Sequence, residues 1–181
     1  MGASISGAIG DRSDVVLNGT TCVTLAGIRM VRTDVDPALN IEIFQADEAG
    51  ALLFSPAFTD WAPLEALGVD TVIDLEGGLD HCIPTVPNHI LYIYFPIYDE
   101  GLPNIAKLNA IADLGACLVR SGHRVLSHCG MGFNRSALVA GLILVRLGVS
   151  GRDAVCRLRG CRPGALFNEV FAAHLESLSR G

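Results

Sequence analysis

The chain lacks any stretch suited to crossing a membrane: the apolar run Ala137 to Val145 falls well short of the ~20 residues a spanning helix needs and reads as a buried helix. The first ten residues have neither a basic n-region nor a sustained apolar core, which disfavours a secretory signal. Gly2 followed by Ser6 fits an N-myristoylation pattern only loosely, and small-residue tails are common. The six cysteines (Cys22, Cys82, Cys117, Cys129, Cys156, Cys161) lack the pairwise spacing of a zinc site or of a disulfide-rich secreted domain. Reduced thiols in a cytoplasmic protein are expected, with no metal and no cofactor. Positive charge is also scarce: the net charge of −6 disfavours broad nucleic-acid binding, because phosphate backbones are held by basic surfaces. Internal repeats and low-complexity blocks are absent.

What remains suffices for one core. At 181 residues, half of them hydrophobic, the chain fits a single domain. Its most informative segment runs from Val125 to Ala137, Val-Leu-Ser-His-Cys-Gly-Met-Gly-Phe-Asn-Arg-Ser-Ala: a short apolar strand, a cysteine, a glycine-containing loop, an arginine and a helix start. A thiolate at Cys129 is a strong nucleophile, and Gly130 to Asn134 can turn several backbone N–H groups inward as an anion-binding nest. Arg135 would close the ring, gripping two phosphate oxygens at once, and the following helix adds its positive end. Such a pocket suits a phosphoryl dianion.

The bare spacing Cys-x5-Arg is weak evidence, since Cys156 and Arg162 repeat it. Cys156, however, falls inside a helix read over Asp153 to Arg159, with no strand before it. Around Cys129 the string His-Cys-x-x-Gly-x-x-Arg-Ser lies between a β-like and a helix-like run and resembles the signature of the protein tyrosine phosphatase superfamily, most closely its small dual-specificity branch. The resemblance spans about residues 50 to 179. Phe95-Pro-Ile-Tyr-Asp99-Glu-Gly-Leu-Pro103 resembles the loop that carries that family's general acid. Arg162-Pro163-Gly164, with Asn168 and Phe171, resembles its C-terminal segment, and Thr71 to Leu75 is similar to one of its strands.

The pattern along the chain agrees with an α/β fold having a mostly parallel central sheet flanked by helices. Strands are expected at Leu52–Phe54, Thr71–Leu75, Ile90–Phe95 and Val125–His128, and helices at Asp60–Leu67, from Ile105 behind an Asn104 cap to Gly122, at Ser136–Leu147, at Gly151–Arg159 behind the Ser150-x-x-Asp153 capping box, and at Asn168–Leu178. The β-like runs Cys22–Leu25, Ile28–Val31 and Ile41–Phe44 suggest an added β-rich edge. The expected organisation is a flexible tail over residues 1–15, an N-terminal extension over 16–50 packed on the domain, and a catalytic domain over 51–181. Arg152, Arg157, Arg159 and Arg162 read as a solvated helix face rather than a docking patch.

Cys129 is the expected nucleophile, forming a phosphocysteine intermediate, and Arg135 the residue that stabilises transition-state charge. The resemblance implies that Ser136 assists departure of the thiolate, where otherwise it only caps the helix, and that His128 orients the loop. It further implies Asp99 as general acid and then base; Glu100 and a plain turn residue are the alternatives. Gly130, Met131, Gly132, Phe133 and Asn134 would bind phosphate through their backbone. Cys82 is a candidate redox partner protecting Cys129, and Cys22, Cys117, Cys156 and Cys161 are read as packing residues. His81, His89, His123 and His174 show no metal-ligand spacing.

The leading expectation is a metal-independent phosphatase acting on phosphotyrosine, and secondarily phosphoserine or phosphothreonine, in a phosphorylated protein or peptide. No membrane partner is expected. None of the loop residues is basic, whereas family members acting on polyphosphorylated inositol lipids tend to carry lysines there. The alternatives are an RNA 5′-triphosphatase of the same superfamily, suggested by Gly132-Phe133-Asn134-Arg135, a non-catalytic phosphate-binding module, and a rhodanese-like sulfur transferase.

Overall fold

Runs of Val, Ile, Leu and Phe between turn-formers become strands, and the first three lie in an N-terminal hairpin-like sheet. The computed structural model describes residues 41–179 throughout and, before them, the backbone of Val15–Leu17 (β1), Thr20–Leu25 (β2) and Ile28–Thr33 (β3), paired antiparallel in the order β1-β2-β3. Of the tail expected over residues 1–15 only Val15 is described, at the start of β1; the rest of it, the Gly2 and Ser6 pattern and the side chain of Cys22 lie outside the described residues.

The main sheet has five strands: Phe44–Gln45 (β4), Leu52–Pro56 (β5), Thr71–Asp74 (β6), Leu91–Tyr94 (β7) and Val125–Cys129 (β8), in the order β4-β5-β8-β6-β7. All neighbours are parallel except β4 and β5. This is the expected α/β class. β4 falls inside the segment read as an extension and forms one edge of the main sheet; it shares only Phe44 with the run read at Ile41–Phe44. Strands β6 and β8 are buried at every position, as in a parallel sheet covered on both faces, and their C-terminal halves carry the buried polar residues Asp74, Ser127 and His128. The parallel register puts Pro56 opposite Cys129 and Asp74 opposite His128, so the ends of three strands converge beneath the cysteine.

Five helices cover the sheet among the described residues: Ala62–Ala66 (α1), Ile105–Arg120 (α2), Arg135–Arg146 (α3), Gly151–Cys161 (α4) and Glu169–Glu176 (α5). Helix α3 is buried without interruption from Ser136 to Val145, in contact with α2, α4, α5, β5 and β8. Its composition, Ser-Ala-Leu-Val-Ala-Gly-Leu-Ile-Leu-Val, is apolar all round, as a central helix requires. Each fully buried Leu or Ile there contributes about 1.5–3 kcal/mol, enough to fix the cysteine loop at the helix's own start. The expected caps form: Asn104 Oδ1 accepts from the Lys107 N–H at 3.1 Å and Ser150 Oγ from the Asp153 N–H at 3.2 Å.

Two cysteines depart from expectation. Cys117 on α2 and Cys156 on α4 are exposed, so neither packs in the core. Both sit off the stripe their helix buries, Leu108-Ala112-Gly115-Ala116 in α2 and Ala154-Val155-Leu158-Cys161 in α4. Cys161, on the stripe, is buried; its thiol donates to the Gln45 carbonyl at 3.0 Å, and burial pushes its pKa up to about 11 against the opposing charge of Arg157.

Candidate active site

Cys129 ends the central strand, and the loop that follows must reverse direction to start α3. The reversal is made at Gly132, whose φ of +67° is a conformation side chains resist. The space is equally restrictive: a Cβ there would come within 2.3 Å of the Pro56 nitrogen and 2.6 Å of Arg162 Nη1. As a result the Gly132 N–H turns inward and donates to Cys129 Sγ at 3.3 Å. The thiol in turn donates to Ser136 Oγ at 3.5 Å. Cys129 is only 2% exposed, at the positive end of α3, so its sulfur faces an N–H, a hydroxyl and a helix start.

Arg135 is anchored from three directions. Its Nη1 donates to the carbonyls of Leu75 at 3.1 Å and Ile97 at 3.2 Å, and its Nη2 to Glu76 Oε2 at 2.8 Å. Nε is buried and has no hydrogen-bond partner among the described residues, so the Nε–H and the second Nη2–H remain for a ligand. The same Glu76 oxygen accepts from the Gly130 N–H. Burial pushes Glu76 upward, but the Gly77 N–H, Arg135 and the Gly130 N–H outweigh it and hold the carboxyl below its ordinary value. Glu76 was invisible in the sequence, since it lies far from Cys129 in the chain and belongs to no signature string.

His128 has no exposed surface and stands between two carboxylates, Nε2 lying 2.9 Å from Asp80 Oδ2 and 3.5 Å from Asp74 Oδ1. The Phe58 ring packs against its imidazole, with centroids 4.8 Å apart. Asp74 also accepts from the Glu76 N–H at 2.8 Å and from the Tyr92 hydroxyl. Burial, the dominant influence, pushes the Asp74 carboxyl above the usual range; the Tyr92 and Glu76 bonds and His128 oppose it. The ligand atoms of Asp74, Asp80 and His128 lie within 4.8 Å of one another, making this the grouping of described residues able to hold a metal ion. It includes the imidazole of the residue just before Cys129.

Asp99 comes to the rim of the loop. Its Oδ2 accepts from Asn134 Nδ2 at 2.9 Å and its Oδ1 from Asn168 Nδ2 at 3.0 Å. Glu100 is exposed, and its carbonyl accepts from Asn168 Nδ2 at 3.0 Å. Met131, Tyr98 and Phe167 are exposed apolar side chains on the segments that meet here. Cys82 is exposed, with φ of 56°, and both it and Cys129 are free thiols.

Arg162 corrects the reading of the four arginines as a solvated face. It is 8% exposed, its guanidinium carbon lies 3.7 Å from the Phe133 ring centroid and 4.6 Å from that of Phe44, and Nη1 donates to the Gly132 carbonyl at 3.1 Å. That carbonyl and the Phe133 N–H share one planar trans peptide, so the bond from Arg162 fixes the orientation of the Phe133 N–H on the opposite side. Burial lowers the Arg162 pKa, while Glu42 and Cys129 favour its charge. Arg159 is exposed, as read, although its guanidinium donates to the carbonyls of Ala165 and Leu166. A sequence pattern could flag Arg162 only through the Arg-Pro-Gly resemblance, because its burial depends on Phe44 and Phe133.

A cysteine-bearing loop between the central parallel strand and a buried helix, ringed by an arginine and approached by an aspartate, sits on a fold of the dual-specificity phosphatase kind, which a mouse dual specificity phosphatase and a variant of human DUSP28 share at TM-scores of 0.63 and identities of 22% and 23%. The family model of cyclin-dependent kinase inhibitor 3 matches residues 85–156. Cyclin-dependent kinase inhibitor 3 of Sus scrofa is 35% identical over 108 residues, which are 50% of this chain and 51% of that protein, so the match spans about half the length of the curated relative. Among solved structures, Tk-PTP in its active form is 28% identical with a TM-score of 0.58, covering 74% of this chain and 95% of its own. A kinase associated phosphatase with its catalytic site cysteine substituted by serine shares the fold at 21% identity and a TM-score of 0.62, covering 78% and 94%. No helix among the described residues is long and apolar enough to cross a membrane.

Proposed function

We propose that the chain is a cysteine-dependent phosphatase that hydrolyses phosphate monoesters in proteins, phosphotyrosine first and phosphoserine or phosphothreonine second, without a metal. The observation that carries this reading is the buried Cys129 sulfur held between the Gly132 N–H and Ser136 Oγ at the start of α3, with Arg135 fastened beside it. The Cys129 thiolate attacks phosphorus in line. The P–S bond forms as the bond to the leaving oxygen breaks, and Asp99 gives that oxygen its proton. Arg135 Nε and the loop N–H groups take the charge spreading over the phosphoryl oxygens. In the second half Asp99 takes a proton from water, water attacks the phosphocysteine, and Ser136 stabilises the departing thiolate. His128, set by Asp74 and Asp80, orients the strand end that carries the nucleophile.

The activity is assigned to residues 51–181 together with β4, which completes their sheet. The names of the relatives make a phosphorylated protein kinase the first protein substrate to test. The deciding experiment is hydrolysis of an aryl phosphate in the presence of a chelator, comparing wild type with Cys129→Ser. Turnover that survives the chelator and vanishes in the variant is expected. Reduced, folded wild type without turnover would overturn the reading and favour a phosphate-binding module.

A further inference from the structure

Two Phe-Asn pairs, Phe133-Asn134 and Phe167-Asn168, stand at the starts of α3 and α5, each asparagine at the N-cap position. The two rings are 6.0 Å apart and the Leu166 N–H donates to the Phe133 carbonyl at 2.9 Å, so the two helix starts are joined. Both amides converge on Asp99, one on each carboxylate oxygen, and the Asn168 N–H donates to Asn134 Oδ1 at 3.0 Å. Asn168 does this while still capping α5: its Oδ1 accepts from the N–H groups of Val170 and Phe171. Asn134 gives up capping altogether. Its side chain makes no cap bond to α3 although it is 1% exposed and occupies the cap position, where an asparagine ordinarily contributes about 1 kcal/mol.

A buried amide diverted from its ordinary task, and a second shared between a helix and a surface carboxylate, indicate selection for where that carboxylate sits. We propose that Asn134 and Asn168 are positioning residues for Asp99, holding both of its oxygens against the phosphate loop before substrate arrives. The inference rests on reading Asp99 as the general acid. An aspartate on an exposed loop would otherwise sample several rotamers, and a misplacement of about 1 Å in an acid can cost on the order of a hundredfold in rate. The clamp is compatible with proton transfer, because each carboxylate oxygen has a second lone pair free to carry the proton. It also links the acid loop to α5, an element the chemistry does not otherwise use.

A residue that acts by aiming an acid affects substrates unequally, since leaving groups of high basicity need the proton and those of low basicity do not. The test is kcat/KM over a series of phosphates with leaving groups of rising basicity, from 4-nitrophenyl through phenyl to an alkyl phosphate. It is run for wild type, Asp99→Asn, Asn168→Ser and the double variant. Serine keeps the α5 cap but lacks the Nδ2 donor. Expected is a loss in Asn168→Ser that grows with leaving-group basicity, reaching roughly 10–100-fold for the alkyl ester. In the Asp99→Asn background the same substitution should add nothing further. A uniform loss across the series, or an added loss in the double variant, would overturn the inference and make Asn168 a fold support only. If Asp99→Asn itself leaves the leaving-group dependence unchanged, the acid assignment fails and the inference falls with it.

Discussion

The loop from Cys129 to Arg135 is held by main-chain geometry and buried neighbours, whereas the segment from Pro96 to Pro103 lies largely open and is held at one carboxylate by two amides. In the first, Gly132 admits no substituent, Arg162 fixes its carbonyl, and Glu76 and two carbonyls fix Arg135. Under the proposed mechanism the difference follows from what each must do. Binding a phosphoryl group needs many donors pointed at one spot at once, which only a rigid backbone provides. Donating a proton and later accepting one needs a single group near that spot, with room for a substrate to enter first.

Substitutions that disturb the rigid side should have the larger effects. Gly132→Ala adds a Cβ against the Pro56 nitrogen at a position of positive φ. It should destabilise by about 2–4 kcal/mol and reduce kcat by roughly a thousandfold in the protein that still folds; thermal melting and aryl phosphate turnover check both. Arg162→Leu keeps the packing volume but removes the charge that Glu42 pairs and the donor to the Gly132 carbonyl. A stability loss of about 1–3 kcal/mol and a fall of about tenfold in kcat are expected; an unchanged kcat would show that the Gly132 peptide holds its orientation unaided.

Much of this contrast was legible before the structure. The strand, cysteine, loop and helix could be read from Val125 to Ala137 because every part of the device is contiguous and each part has a local cause: an apolar run, a glycine, a helix start. Asp99 was singled out only through resemblance, since nothing local distinguishes it from Glu100. Glu76, Asp74, Asp80, Tyr92 and Arg162 were not legible as site residues, because parallel pairing of β6 with β8 and packing under Phe133 bring them in from distant segments. Cys117 and Cys156 were misplaced because cysteine composition suggests burial, while the helical stripe decides it.

The smaller effects test the border between the two sides. Glu76→Gln removes a negative charge beside the loop yet keeps the shape, and should tighten inhibition by inorganic phosphate about three- to tenfold. Because the native carboxyl titrates below its ordinary value, its stabilising contribution is complete above that value and is lost as pH falls through the lowered one. The gap in melting temperature between wild type and Glu76→Gln should therefore close toward acid, and a gap that widens there would contradict the pairing. Smallest of all, Cys117→Ser and Cys156→Ser should shift stability by less than about 0.5 kcal/mol, as surface substitutions do. Measurable loss of turnover in either would point to a role at the surface that packing does not explain.

The place of β8 between β5 and β6 bears on how the protein breathes. A strand paired along both edges and roofed by a fully buried helix has no local route to solvent, so its amide hydrogens exchange only when the whole domain opens. The edges β4 and β7 can fray without disturbing it. Leu126, Ser127 and His128 should be among the slowest-exchanging amides in the chain, giving the Cys129 sulfur a mounting as durable as the native state itself.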